Sequence, residues 1–411
     1  MYASLTLSRR WQIAVAGVVT EMMLGTVYAW SVFKKPLIAR HSWPEADVGL
    51  TFMLVFFFLG VATTFGGKWG DRAGARTVAS VAALLFSGGM ILAGLADSFS
   101  CKWLLWLGYG VVGGLGAGLG YMVPIAVLVR WFPDRKGTIT GLAVMGFGMG
   151  AAIMGQLAPY LMKAFGIGPD RIFYAGGLFF LVIMLLAARK LQNPPADYSL
   201  PSAKTDSIPS AVSVDLRTAL KMYQFYILWG LMFLSVIAGS AILSNLSNMA
   251  QEQLKIDAVL AGTIVFSALI CNSLGRVFWA SLSEKIGCKA VFMILMGTQV
   301  PLFFALPYVM NVWLFSGVVC YMLLCYGGVS GTLPSFTAIT FGAKNIGGIY
   351  GKIMMALGAA GLVGPFLMEW VKKNSNGFGG ALYVTAFVLS VGFVLAASYR
   401  RPKTAATVVK V

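Results

Sequence analysis

Apolar runs of about 20 residues recur along the whole chain, and no other feature limits its fold as much. A helix rises about 1.5 Å per residue, so such a run matches the ~30 Å hydrocarbon core of a bilayer. Twelve runs are legible: 11–33, 48–67, 76–96, 103–129, 138–162, 172–188, 222–246, 259–282, 290–309, 312–333, 346–369 and 379–399. Backbone polar groups in lipid must pair within their own segment, so runs of this length imply helices. The chain is 58% hydrophobic and 11% charged. Soluble domains carry about 25% charged residues, which excludes an ordinary soluble protein. The predicted fold class is an all-α membrane protein with twelve transmembrane helices.

Arg9 and Arg10 precede the run Trp11–Phe33, which is too long for a signal core and reads as the first span. The longest polar stretch, 189–221, is rich in proline and serine and reads as a flexible connector. It divides the chain into a six-helix bundle over 1–190, a connector over 191–221, a second six-helix bundle over 222–400 and a tail over 401–411. With twelve spans, the loops sharing a side with the termini hold Arg72, Arg76, Arg130, Arg135, Lys136, Lys285, Lys289, Arg400 and Arg401. The other side holds fewer basic residues, among them Lys34, Lys35 and Arg40. The positive-inside rule then puts both termini in the cytoplasm. Because the basic residues lie in short gaps between spans, the net charge of +17 does not suggest a nucleic-acid partner.

The two blocks repeat. Gly70-Asp71-Arg72-Ala73-Gly74-Ala75-Arg76 follows the second span, and Ser283-Glu284-Lys285-Ile286-Gly287-Cys288-Lys289 follows the eighth. Acid, base, glycine and base recur at the same spacing in the same place. Parallel six-plus-six repeats are the architecture of the major facilitator superfamily. The first copy resembles that family's loop signature, G-x-x-x-D-[RK]-x-G-x-[RK]. Asp71, Arg72, Arg76, Glu284 and Lys285 are accordingly candidate gating residues, whose charge contacts would hold helix ends together in one conformation. The plainer reading is topology and solubility alone. The many glycines of spans four, five and eleven read mainly as packing residues that let helices approach.

Arg276 is the polar residue that most needs explaining. It stands in 259–282, where Cys271 is the only other ionisable side chain. An arginine in hydrocarbon costs at least ~2.5–3.5 kcal/mol and cannot shed its proton. Asn272, one turn earlier, shares its helix face. An arginine fork beside an amide suits a carboxylate. The alternatives are snorkelling to the nearer surface or a structural bridge. Tyr28, Tyr121 and Tyr326 are donors on aromatic bodies, suited to a small anion with an apolar end, or else buried packing residues. Glu21 is the one carboxylate well inside a span, either a proton site or a neutral structural residue. Lys352 either reaches a ligand or snorkels.

Cys101, Cys271, Cys288, Cys320 and Cys325 show no metal spacing, and His41 is the only histidine. No phosphate-binding glycine motif is present, so an ATP-driven pump has no support. No metal, no cofactor and no enzymatic activity are expected.

Two more segments narrow the resemblance. Arg130-Trp131-Phe132-Pro133-Asp134-Arg135-Lys136-Gly137, followed by Gly141-Leu142-Ala143, resembles the loop and fifth span of monocarboxylate transporters and oxalate–formate antiporters. Tyr28-Ala29-Trp30 resembles the antiporter's first-span motif. The resemblance implies a substrate-binding role for Arg276, with Asn272 supporting it and Tyr28, Tyr121 and Tyr326 lining the pocket. This chain also departs from both families. The antiporter's second cation, a lysine in span eleven, is matched by Ile353, with Lys352 one residue away. The first-span lysine and eighth-span aspartate of animal monocarboxylate transporters are matched by Val32 and Asn272. The expected function is secondary transport of a small monocarboxylate of the lactate or pyruvate type, with a proton, across the cytoplasmic membrane. Exchange of anions of the oxalate–formate type is the alternative. The expected partners are the carboxylate anion, a proton and the lipid bilayer; no obligate protein partner is implied.

Overall fold

A computed structural model describes residues 2–195, 214–374 and 378–402. The side chain of Asp71, most of the connector and nearly all of the tail lie outside the described residues.

Twelve long helices follow one another among the described residues. The first, α1, runs from Tyr2 to His41 and tightens into a 3-10 turn at Thr26–Trp30. There the Thr26 hydroxyl donates to the Met23 carbonyl (2.7 Å), competing with the regular ladder. Then come α2 (Glu45–Ala73), α3 (Ala75–Ser98), α4 (Lys102–Trp131), α5 (Lys136–Phe165) and α6 (Pro169–Ala188). The second set is α7 (Tyr223–Leu254), α8 (Ala258–Ile286), α9 (Cys288–Tyr308), α10 (Val312–Phe341), α11 (Ile346–Asn374) and α12 (Phe378–Ser398). Among the described residues, eleven of the twelve contain an apolar stretch long enough to cross a membrane. In α11 the described apolar stretch is Ile346–Gly361, and Met354 interrupts the helix. Large apolar side chains such as Phe65, Leu178, Phe179, Phe387 and Val394 are exposed on the perimeter, where a bilayer would cover them.

The packing repeats with the sequence. In the first set α1 packs on α4, α5 and α6, α2 on α4, and α3 on α4 and α6. The second set repeats every one of these pairs six helices on. The duplicated loops match to the backbone angle. Gly74 (φ +87°, ψ 145°) and Gly287 (φ +86°, ψ 147°) end α2 and α8 in a conformation that side-chain-bearing residues rarely adopt. Between the sets, α2 packs on α11 and α5 on α8, with α5 also touching α10 and α4 touching α11.

The connector departs from a simple flexible linker at both described ends. After α6, Leu191 is buried, Trp131 Nε1 donates to the Gln192 carbonyl (2.7 Å), and Arg130 Nη1 donates to Asn193 Oδ1 (2.9 Å). Before α7, Val214 N donates to the Phe341 carbonyl (3.0 Å), and Asp215 caps the short helix Leu216–Ala219 through Thr218 N (3.2 Å). Polar composition signalled exposure but could not show that these ends pair with helix termini.

At the end opposite the duplicated loops, Asp97 of α3 joins three elements. Arg40 Nη1 donates to it (3.1 Å), His41 Nε2 contacts it, and Asp170 N donates to it (2.7 Å). This network ties the ends of α1, α3 and α6 together.

Candidate functional site

Arg276 does not snorkel. It is only 6% exposed, and neighbouring helices clasp its backbone. A side chain at Gly141 of α5 or Gly331 of α10 would collide with its carbonyl. Its guanidinium crosses from one half of the molecule to the other. Nη1 donates to the Val144 carbonyl of α5 (2.6 Å), and Nη2 donates to Asn272 Oδ1 (3.3 Å). Asn272 in turn donates from Nδ2 to the Leu323 carbonyl of α10 (3.1 Å), which fixes its oxygen toward the arginine. The arginine therefore bridges the halves, with Nη1 and Nη2 hydrogen-bonded and Nε left without a partner among the described residues. An arginine edge of this kind can pair with a carboxylate through two parallel hydrogen bonds.

The predicted tyrosines gather round this group. Tyr121 of α4 and Tyr326 of α10 are buried and Tyr28 of α1 is partly exposed. Tyr28 and Tyr326 face each other across the halves. Phe147 of α5 organises the cluster. Its ring lies 5.3 Å from Tyr28, 5.5 Å from Tyr121 and 5.9 Å from the Arg276 guanidinium. Both ring contacts are edge-on, the favoured aromatic geometry. Tyr350 of α11 lies beside Tyr121, is wholly buried, and has an unpaired hydroxyl. Phe147 and Tyr350 were not legible in the sequence. A phenylalanine in an apolar span carries no polar signal, and Tyr350 sits near the start of its span beside the more conspicuous Lys352.

Glu21 of α1 is 0% exposed, and neither carboxylate oxygen has a hydrogen-bond partner among the described residues. It lies within electrostatic reach of Arg276, Tyr121 and Tyr350, without an ion pair to Arg276 inside 4 Å among the described residues. Lys352 is set apart from this group. It is half-buried, with its ammonium 5.9 Å from the ring centre of the exposed Phe65 on the perimeter.

Tyr28 and Tyr326 also border a cavity of about 310 Å³ that opens away from the duplicated loops. Trp30, Phe52, Phe56, Val236 and Leu243 supply apolar walls, with Ser31, Ser240 and Lys34 as polar points. Lys34 is paired with Glu45 (2.6 Å). The loop-bearing end is closed by contacts between the halves. Glu284 accepts from Thr138 N (2.8 Å) and Thr138 Oγ1 (2.9 Å). That puts a carboxylate at the N-terminus of α5, where unpaired backbone N–H groups favour negative charge. Arg130 Nη2 donates to the Lys344 carbonyl (3.0 Å). Of the other gate candidates, Arg72, Arg76 and Lys285 are exposed, and no ion pair joins them to a carboxylate among the described residues. The remaining candidate, Asp71, cannot be placed, because its side chain lies outside the described residues.

Repeat packing, two inter-half seams and a buried polar centre are thus combined in one chain. The sequence pattern described as Major Facilitator Superfamily matches residues 13–365, with a second match over 228–410. The chain belongs to the Major Facilitator Superfamily. Its fold is two six-helix bundles related by a pseudo-repeat, and members of this family are membrane transporters rather than enzymes. An uncharacterized MFS-type transporter of Escherichia coli (strain K12), YhjX, is 27% identical over 354 residues, 85% of each chain. The oxalate:formate antiporter of Oxalobacter formigenes is 24% identical over 401 residues, 95% of this chain and 91% of the relative. The apicoplast pyruvate carrier 1 of Toxoplasma gondii is 26% identical over 330 residues, 65% of this chain and 59% of the carrier. Among solved structures, the transporter FucP in its outward conformation superposes with a TM-score of 0.71 at 15% identity, covering 95% of this chain and 99% of that one. The proton:xylose symporter XylE gives 0.74 at 14% identity, covering 96% of each chain. At such identities the likeness is one of fold.

Proposed function

We propose that this superfamily member is a secondary transporter of small monocarboxylates of the lactate or pyruvate type, moved together with a proton by alternating access. One observation carries the reading. Arg276 sits sealed between the halves, and its Nε and the nearby Glu21 carboxylate are both without a partner among the described residues. The carboxylate takes the Nε–Nη2 edge, Asn272 holds the arginine in plane, and Tyr28 and Tyr326 stand between this centre and the open cavity. Phe147 and the neighbouring tyrosines offer an apolar surface to a short carbon chain. One firm cation suits one carboxylate. In this reading the bundles 1–190 and 222–400 rock about the site, the termini and duplicated loops face the cytoplasm, and the gate includes Asp71, Arg72, Arg76, Glu284 and Lys285.

Glu21 supplies the coupling. A negative Glu21 competes with the substrate for Arg276, whereas a proton on Glu21 leaves the arginine's charge to the incoming anion. Moving a lone anion into a negative cytoplasm is opposed by about 2.3 kcal/mol per 100 mV, and one co-transported proton removes that cost. Uptake of labelled lactate and pyruvate into proteoliposomes tests the reading. Uptake should rise as external pH falls, should generate no current, and should lose much of its pH response in Glu21→Gln. Lactate-driven current without a pH gradient would sink the symport.

The near full-length match to the oxalate:formate antiporter supports a second reading, exchange of two carboxylates. Counterflow between loaded oxalate and formate, independent of pH, would identify it.

A further inference from the structure

At the loop-bearing end, on the perimeter of the first bundle, α1 and the end of α6 border an open recess of about 820 Å³. Three cations line it: Arg9 of α1, and Arg189 and Lys190 just past α6. Ile13 and Leu186 give it an apolar side, and Gln12 and Gln192 complete it. No carboxylate is among the described lining. Arg9 Nη2 is spent on Gln192 Oε1 (2.8 Å), while Arg189 and Lys190 are exposed. Like charges converging on one recess repel, and an anion between them relieves that repulsion. The apolar side continues along the membrane-facing surface of α6, where Val182 and Leu186, one turn apart, are both exposed. A cationic head region leading into an apolar track matches an amphiphile. A small anion would use the cations and leave the track idle.

We propose that this recess binds the headgroup of an anionic phospholipid, with an acyl chain along α6, and that the bound lipid steadies the closed arrangement of the loop-bearing end. The positive-inside rule explains why cations lie at this end; it does not make them converge on a recess with an apolar side. The coupling runs through the segment after α6. Gln192, which Arg9 engages, is followed by Asn193, which accepts from Arg130 (2.9 Å). Arg130 also donates to Lys344 of the opposite half (3.0 Å). A headgroup that orders Arg9 and Gln192 therefore holds in place a segment that supports an inter-half contact. This inference needs only the membrane reading, so its failure leaves the substrate reading untouched.

The test uses full-length protein in bilayers of phosphatidylethanolamine with and without phosphatidylglycerol, with retained lipid counted by native mass spectrometry. Phosphatidylglycerol should be retained in preference to phosphatidylethanolamine. Arg189→Gln combined with Lys190→Gln should lower that retention roughly 30-fold, from about fivefold per charge. The charge-keeping pair Arg189→Lys and Lys190→Arg should preserve it. If the double glutamine variant fails to fold, Arg9→Gln provides the same reading. Equal retention by the neutralised variant overturns the site. Displacement of the lipid by inorganic phosphate overturns the lipid assignment in favour of a small-anion recess. Phosphatidylglycerol should also raise the fraction of molecules closed at the loop-bearing end, measured by spin-label distances, in the unaltered protein alone. Retention without that shift overturns the coupling.

Discussion

The two seams between the halves are built from different materials. Along α2 and α11 the buried part of the contact is mostly glycine on glycine, with the Lys352–Phe65 contact on the perimeter. Gly60 meets Gly358, Gly67 meets Gly347, and the Thr63 hydroxyl donates to the Gly351 carbonyl (3.2 Å). Along α5 and α8 glycines also bring the helices close, but charged side chains cross the seam. Arg276 reaches Val144, and Glu284 caps α5 at Thr138. Close glycine contacts depend on shape and do not respond to charge. The charged seam responds to whatever competes for the arginine or the helix terminus. The pseudo-repeat makes the two helix pairs equivalent in topology, yet among the described residues only the α5–α8 pair carries a buried charge across its seam. That difference teaches where to look for the switch.

Removing the arginine should have the largest effect. Arg276→Ala should lower carboxylate uptake about 100-fold or more, the loss expected from two charge-assisted hydrogen bonds, while the protein still folds. Arg276→Lys should recover little, because a point charge replaces a planar fork. Near-normal uptake by the alanine variant in proteoliposomes would break the distinction between the seams.

Gly67→Val attacks the other seam. Its side chain would meet the Gly347 backbone. Overpacking of this kind costs about 1–3 kcal/mol, so the closed arrangement of the loop-bearing end should lose roughly tenfold in population. Substrate affinity should change much less. Spin-label distances across the loop-bearing end, set beside binding isotherms, separate the two quantities. A lost affinity with an unchanged distance distribution would mean that the α2–α11 seam also shapes the site.

Glu284→Gln should act in the same direction more weakly. It keeps one acceptor near Thr138 but replaces the other carboxylate oxygen with an NH2 group and removes the charge at the helix terminus, so a shift of about two- to fivefold is expected. High salt should reduce the difference between the variant and the unaltered protein. A salt-independent shift would show that shape, not charge, sets this contact.

The smallest effect is expected at Lys352. Its contact with the exposed Phe65 ring is worth about 0.5–1 kcal/mol. Lys352→Gln should leave uptake within about fivefold of normal. A complete loss would make Lys352 a second substrate cation and favour dicarboxylate exchange.

Much of the architecture was legible in the sequence. Apolar runs reported the spans, and the duplicated charged loop reported the repeat, since two copies in register have a common place in each half. The tyrosines and Asn272 were found because polar groups stand out against hydrocarbon. Phe147 and Tyr350 were not found, and neither was the Asp97 network. Phe147 looks like any other apolar residue of its span. Asp97 lies at a helix end, where a carboxylate is unremarkable until Arg40, His41 and Asp170 are seen to converge on it.

By itself, then, the sequence indicated how many times the chain crosses a bilayer, that its halves repeat, and which polar side chains stand within apolar runs. These follow from the cost of polar atoms in hydrocarbon, which acts on each segment alone. Which side of a helix meets lipid and which meets protein is another matter, because both surroundings are apolar and hydropathy does not distinguish them. Only the tertiary structure decided that Arg276 spends one arm on Val144, that Glu21 lies within its reach, and that the cavity opens away from the charged loops. Each of these depends on helices from different halves meeting at one place, which no local pattern encodes.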